Sequence, residues 1–350
     1  MTFRFALLFF LAFSSLKLQA TQTIGIFPSE PAGMSEHIYR YDPNNPGDLN
    51  NWKMIDKVLQ ENDMKLQTTN LSEFTSKKAA KELFKTMKKI IFCNIPWWLP
   101  DWKEKLALLP PERLILITYE PPAVLPEMFS EEVLARFGKV ITWNDDLVDN
   151  VKFFKFNYPV LYGMIDGTPP FSQKKLLTQI SGNKTSTHEN ELYTKRLNVI
   201  RYFEKDSSND FDFYGYGWQD LNYKNYKGAP GDKIGTLKNY KFAICYENIH
   251  SIRGYITEKI FDCFCAGVVP IYWGASNVTD YIPQQCFIDR KSIPPFKNLV
   301  KYIRNMKEEK YNMYLDFIRI YLKSEQAQQF SHEAFAHAVL KVLRMDRKNL

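Results

Sequence analysis

A chain of 350 residues with 45% hydrophobic and 15% aromatic content can bury one large core or two ordinary ones, so a globular protein of two α/β-sized domains is expected and a disordered chain is excluded. Its 46 basic residues are offset by 39 acidic ones, net +7, and are spread along the chain without long runs of one sign. That argues against a nucleic-acid partner and suits anionic small molecules.

In chain order, Arg4 precedes the apolar run Phe5 to Phe13, and Leu18-Gln19-Ala20 ends in a small residue before Thr21. This is the pattern of a secretory signal peptide over residues 1–20, and its apolar core is too short to span a bilayer comfortably. Ile24 to Phe27 reads as a first strand, and Pro28 to Asp48 as a loop rich in Pro, Gly and Asn. Trp52, Ile55, Val58 and Leu59 recur at helical spacing. A basic helix over Lys77 to Lys88 leads into a strand at Lys89 to Ile95. Trp97, Trp98 and Trp102 then either pack against the sheet or offer a surface on which a sugar ring stacks. Arg113 to Tyr119 is a buried strand that ends on Glu120 and two prolines. A carboxylate fixed by a rigid turn at the carboxyl end of a strand sits where α/β proteins keep their chemistry. Pro126 to Phe137 is expected to be a helix and Lys139 to Trp143 a strand, followed by Asp145 and Asp146, which are assigned an acceptor-side or turn role.

Pro159, Gly163, Gly167, Pro169 and Pro170 mark the boundary between a domain at 21–160 and one at 171–350. Leu176 to Ser181 opens the second domain as a strand. The helix Glu191 to Glu204 carries Arg196 and Arg201, two candidates for an anion contact, since a guanidinium offers paired donors and keeps its charge. In Phe211 to Trp218 the Asp210-Phe-Asp212 pair imitates a metal motif, but period-two alternation puts both carboxylates on one face of a strand, expected to be an exposed edge. The five cysteines, Cys93, Cys245, Cys263, Cys265 and Cys286, lack Cys-x-x-Cys spacing and sit mainly in apolar runs. They read as buried thiols rather than a disulfide frame or zinc site. Asn70, Asn183 and Asn277 open glycosylation sequons compatible with a lumenal protein. Leu299 to Leu350 reads as closing helices.

The densest pattern lies at Tyr240 to Gly274. Lys241 to Tyr246 is a buried strand, Thr257 caps a helix with Ile260, Phe261, Phe264 and Cys265 on one face, Gly267 stops it, and Val268 to Trp273 is a second strand. Strand, helix and strand make a βαβ unit whose ligands bind beyond the carboxyl ends of its strands. The helix start and Lys259 favour an anion there, Glu258 suits ribose or sugar hydroxyls, and Asn248 and Tyr255 suit a base or sugar edge.

Within this stretch, Glu247-Asn248, then Gly254 to Asp262, then Gly267 to Gly274 resemble the donor signature of the family 10 glycosyltransferases, the α1,3/α1,4-fucosyltransferases. The segment Tyr119 to Pro122 resembles that family's acceptor-side glutamate, and Arg196 its phosphate-contacting arginine. The loop between Asn248 and Tyr255 is about a residue longer than in bacterial relatives. The resemblance implies a GT-B-like α/β fold, with two Rossmann-like domains facing across a cleft and C-terminal closing helices. It also implies transfer of L-fucose from GDP-β-L-fucose to an N-acetylglucosamine-type hydroxyl of a glycan, with inversion, α1,3 being the expected linkage. Glu120 would be the general base, and Arg196, Asn248, Tyr255, Glu258 and Lys259 would bind the donor. No cofactor is expected to be required, with Mn²⁺ at most stimulatory, and no metal ligands are assigned. A short uncleaved membrane anchor is the alternative for the N-terminal run. The expected location is the Golgi lumen or membrane in a eukaryote, and an exported or membrane-associated position in a bacterium. Two other readings share the anion site: a transferase of the same architecture using another nucleotide sugar, and a catalytically inactive GDP-sugar or glycan-binding protein.

Overall fold

The computed structural model describes residues 21–27, 51–69, 71 and 74–345. The signal-like run, the loop at 28–48 and the Asn70 sequon lie outside the described residues. The first half alternates strand and helix: β1 Gln22–Phe27, α1 Asn51–Gln60, β2 Met64–Thr68, α2 Lys77–Thr86, β3 Met87–Cys93, α3 Trp102–Ala107, β4 Leu114–Thr118, α4 Glu131–Leu134, β5 Lys139–Thr142 and β6 Phe153–Lys155. These strands form one parallel sheet in the order β2-β1-β3-β4-β5-β6. The second half continues with β7 Lys175–Ile180, α5 Tyr193–Lys205, β8 Phe211–Tyr214, α6 Lys233–Leu237, β9 Tyr240–Tyr246, α7 Glu258–Cys265, β10 Val269–Trp273, α8 Val278–Tyr281 and β11 Ile288–Asp289. Its sheet is also parallel, ordered β11-β10-β9-β7-β8. The chain closes with α9 Phe296–Arg304, α10 Glu308–Leu322, α11 Glu325–Gln328 and α12 His332–Met345.

The central strands are mostly apolar and buried because helices cover both faces of a parallel sheet. Every residue of β4 is buried, and so is all of β9 except Lys241. The edge strand β2, Met-Lys-Leu-Gln-Thr, buries only Met64 and Leu66, and its alternation over five residues is too brief to stand out in the sequence. The expected helix at 126–137 is instead a 3-10 turn at Pro126–Phe129 followed by one α-helical turn, α4, capped by Ser130. Trp102 is buried and Trp98 stacks on Phe27 at 5.9 Å, whereas Trp97 remains 50% exposed. All five cysteines are buried and free.

Two expectations require correction. Asp212 is not on an exposed edge face: although β8 is the sheet's edge strand, its carboxylate is buried and bonded to Lys175 Nζ at 2.6 Å and Tyr240 Oη at 2.7 Å. A lysine and a phenol supply the partners that a buried carboxylate needs. The residues at 171–350 also do not form a self-contained domain. Helix α12 returns to the first lobe, where Phe335, Val339, Leu340 and Leu343 share a core with Trp52, Ile55, Val58 and Leu59 of α1. Within the described residues the chain therefore crosses between lobes twice, and the crossings touch: Val160 and Leu161 both donate their backbone N–H to the carbonyl of Phe330, at 2.9 and 3.0 Å.

Phe335, buried against Tyr119 and Phe156, tests this assignment. Phe335→Ala should lower the unfolding free energy by about 3–5 kcal/mol, read from denaturant melts. A loss typical of an exposed position would place α12 outside the core.

Candidate functional site

A cleft of about 430 Å³ opens between the lobes, at the carboxyl ends of β4 on one side and of β7, β8 and β9 on the other. This is where open parallel sheets bind ligands. Tyr119, Glu120 and Tyr158 line it from the first lobe and the linker, and Arg196, Lys233, Asn248, Tyr255, Glu258 and Lys259 from the second. The structure thus brings all six sequence-assigned residues, Glu120, Arg196, Asn248, Tyr255, Glu258 and Lys259, to one space. Arg201, the competing arginine, lies on the exposed face of α5.

The floor of the cleft is organised by a carboxylate, Glu247, that the sequence reading counted in the resembling signature without giving it a role. Glu247 is fully buried. It accepts from the Thr257 backbone N–H at 2.9 Å and the Thr257 hydroxyl at 2.7 Å, and its Oε2 lies 3.2 Å from Lys259 Nζ. Thr257 in turn caps α7, accepting from the Lys259 backbone at 3.5 Å, and its hydroxyl lies 3.0 Å from Lys259 Nζ. Burial would lower the Lys259 pKa, but Glu247 and Glu258 outweigh it and hold the ammonium well above its ordinary value. For Glu258, burial pushes the carboxyl up, and the opposing charges of Lys259 and Lys233 bring it to about 2. Its side chain is 45% exposed, so solvent takes part in keeping it ionised.

Arg196 is 7% exposed and donates from Nε and Nη2 to the carbonyl of Tyr246, at 3.2 and 2.6 Å, and from Nη2 to Asn248 Oδ1 at 3.0 Å. The end of β9 thereby fixes its planar fork, and Asn248 serves the arginine as an acceptor. Tyr255 is nearly buried, its ring 4.6 Å from that of Trp143 in the first lobe. Across the cleft, Asn94 Oδ1 accepts from the backbone N–H of both Tyr119 and Glu120, at 2.7 and 3.0 Å, and the Tyr158 hydroxyl donates to the Tyr119 carbonyl. The peptide carrying Glu120 is held from two sides. Asn94 itself has φ +60°, a conformation asparagine tolerates better than most residues.

Asp145 has a structural part that spacing did not disclose. It accepts from Lys155 Nζ at 2.5 Å, Asn277 Nδ2 at 2.8 Å and Tyr281 Oη at 2.7 Å, the last two from the opposite lobe. Asn277 Oδ1 accepts from the Gly254 backbone N–H at 2.9 Å. Gly254 has φ +81°, and a Cβ there would lie 2.3 Å from the Trp143 carbonyl, so only glycine permits this approach of the loop before α7 to the first lobe. The buried, hydrogen-bonded Asn277 is inaccessible as a sequon in the folded protein, whereas Asn183 is exposed. Among the described residues no three His, Cys, Asp or Glu side chains gather in a metal-holding group, and no helix is long and apolar enough to cross a membrane.

Residues 171–348 match the family model described as glycosyltransferase family 10 (fucosyltransferase), C-terminal. An α-(1,4)-fucosyltransferase of Arabidopsis thaliana is 36% identical over 74 residues, covering 21% of this chain and 18% of that protein. The 4-galactosyl-N-acetylglucosaminide 3-α-L-fucosyltransferase 9 of Rattus norvegicus is 28% identical over 233 residues, covering 64% of this chain and 57% of that protein. The matched stretches thus span less than two thirds of these relatives' length. A crystal structure of an α1,3-fucosyltransferase with GDP-fucose superimposes over 95% of this chain and 93% of its own, with a TM-score of 0.52 and 16% identity. The likeness at that identity is one of fold, the two-lobed GT-B arrangement.

Two substitutions probe the site's framework. Glu247→Ala should cost roughly 3–5 kcal/mol in denaturant melts, because it leaves Lys259 and the Thr257 N–H without their buried partner; a cost below 1 kcal/mol would show that the carboxylate is not holding the cap. Burial alone would raise the Asp145 pKa, but its bonds from Lys155, Tyr281 and Asn277 hold it below its ordinary value. Such a group contributes its stability above its unfolded pKa of about 3.9 and loses it as the pH falls through the lowered folded value. Asp145→Ala should therefore be about 2–4 kcal/mol less stable than wild type at pH 7, with the gap closing below pH 4.

Proposed function

The chain belongs to glycosyltransferase family 10, and from that premise we propose that it is an inverting fucosyltransferase acting on GDP-β-L-fucose and an N-acetylglucosamine-type hydroxyl of a glycan, with α1,3 linkage the favoured product. The single observation that carries this reading is that Glu120 and the cationic group of Arg196 and Lys259 line the same cleft from different lobes. Transfer with inversion needs a base and a leaving-group site on opposite sides of the sugar, and the two lobes supply one each.

In this reading the diphosphate lies against the start of α7, where the positive end of the helix dipole favours an anion. Arg196 and Lys259 take up the charge that grows on the departing GDP. Arg196 is already oriented by Tyr246 and Asn248, so little reorganisation accompanies the reaction. Glu258, held ionised by Lys259 and Lys233, accepts bonds from hydroxyls of the donor across the working pH range. Asn248 and Tyr255 complete the donor side. Glu120 removes the proton from the acceptor hydroxyl as that oxygen attacks the anomeric carbon, and the bond to the diphosphate breaks on the opposite face. No step calls for a metal ion, and Mn²⁺ would act only as an additional counter-charge to the diphosphate. The signal-like pattern at 1–20 supports a position in the secretory pathway, or export in a bacterium.

The test is release of GDP from GDP-fucose with N-acetyllactosamine and Lewis-type acceptors. Glu120→Gln should lower kcat by ~10²–10⁴-fold while leaving GDP affinity unchanged. Lys259→Ala should instead weaken GDP binding by roughly 10- to 150-fold, the loss of a charge-assisted bond of about 1.5–3 kcal/mol. Turnover at the wild-type rate in Glu120→Gln would remove the base from the scheme. Preference for another sugar nucleotide would replace the donor, and GDP binding without transfer or hydrolysis would favour an inactive binding protein.

A further inference from the structure

We propose that Tyr216 is a stacking platform for the donor's nucleobase, a binding subsite distinct from the residues that hold the diphosphate. This rests on the reading of the cleft as a nucleotide-sugar site. Tyr216 lines that cleft, on the second-lobe wall beyond β8, yet its side chain is 75% exposed. Among the described residues no other aromatic that lines the cleft is comparably open: Tyr119, Tyr193 and Tyr255 are buried and Tyr158 half-buried.

The exposure is imposed by a rigid frame. Gly215 has φ +142°, and a Cβ there would lie 2.0 Å from the Ser181 carbonyl, so the turn leaving β8 packs directly onto the end of β7. The Gly215 N–H donates to the Gly228 carbonyl at 3.0 Å, and the Tyr216 carbonyl accepts from the Asn183 N–H at 2.9 Å. Gly217, with φ +81°, donates its N–H to Gln219 Oε1 at 3.1 Å. The backbone on each side of Tyr216 is therefore held by the segments that leave β7 and β8, while the residue itself stays exposed where it lines the cleft. A tyrosine on a fixed backbone has only two side-chain torsions to lose when a flat partner covers its ring.

The chemistry of the cleft divides accordingly. The anion-binding groups, Arg196, Lys259 and the start of α7, lie along β9 and the helix that follows it. Tyr216 stands beyond β8, and β7 separates β9 from β8 in the sheet. A nucleoside diphosphate presents its charged diphosphate at one end and an aromatic base at the other. With the diphosphate on α7, the base reaches toward the β7 and β8 ends, where Tyr216 offers a face and Ile180 an apolar flank. Stacking accepts any base with a π-face, so Tyr216 supplies affinity, and discrimination among bases falls to polar groups around it.

The experiment compares GDP and inorganic pyrophosphate as ligands of the full chain, by calorimetry or by inhibition, in wild type, Tyr216→Ala and Tyr216→Trp. Tyr216→Ala should weaken GDP by roughly 5- to 150-fold and leave pyrophosphate unchanged, and Tyr216→Trp should restore GDP binding. Equal GDP affinity in wild type and Tyr216→Ala overturns the platform and leaves the donor-site reading intact. Parallel weakening of both ligands also overturns it, since the tyrosine would then serve the phosphate site or the fold. Failure of wild type to bind either ligand overturns the donor-site reading and the platform with it.

Discussion

A buried carboxylate with no solvent contact must find its partners inside the protein, and in this chain Glu247 finds them where β9 ends and α7 begins. It accepts from the N–H and hydroxyl of Thr257 and lies against the ammonium of Lys259, so one side chain sets the helix cap, the rotamer of the capping residue and the charge of the lysine. The arrangement would be poor value as a stabilising device alone, because desolvation largely cancels the attraction in a buried ion pair. What it supplies is position. Lys259 is held protonated at the start of a helix, with Glu258 ionised beside it, before any ligand arrives.

The same economy of reference points governs the gap between the lobes. Asp145 binds a lysine of its own lobe together with an asparagine and a tyrosine of the other, and Trp143 beside it packs on Tyr255. The loop from Glu247 to Thr257, which carries Asn248 and Tyr255, is thus braced against the first lobe as well as against its own sheet. On the far wall, Asn94 and Tyr158 fix the peptide of Glu120. The two crossings of the chain between lobes, at Val160 and at Phe330, lie side by side. The cleft is bounded by elements whose separation is set through a small number of polar contacts.

The fold was legible where local chemistry and tertiary need coincide. The apolar runs of β3, β4, β9 and β10, the threonine cap and the glycine stop of α7 are each dictated by a few adjacent residues, and each stands where periodicity and capping place it. The short edge strand β2 and the three-residue β6 were not legible, because such segments bury too few side chains to impose a pattern. The broken helix at 126–137 was misread because its composition suits a helix, whereas the chain turns there to bury Met128 and Val133. The exposed edge expected for Asp212 failed for a related reason: alternation fixes which face a side chain takes but not what lies opposite it, and here a lysine and a tyrosine do.

The amino-acid order by itself determined the two α/β halves and the βαβ unit with its cationic helix start, since each follows from neighbours within one or two elements, and the family resemblance singled out Glu120, Asn248, Tyr255, Glu258 and Lys259 among the residues that line the cleft. Tertiary structure alone decided that Arg196 rather than Arg201 faces the cleft and that α12 belongs to the first lobe. It also decided that Glu247, Asn94 and Asp145 do their holding across strands and lobes. Those outcomes depend on which distant groups meet, and a buried charge or an amide shows its partner only when the chain has brought the two together.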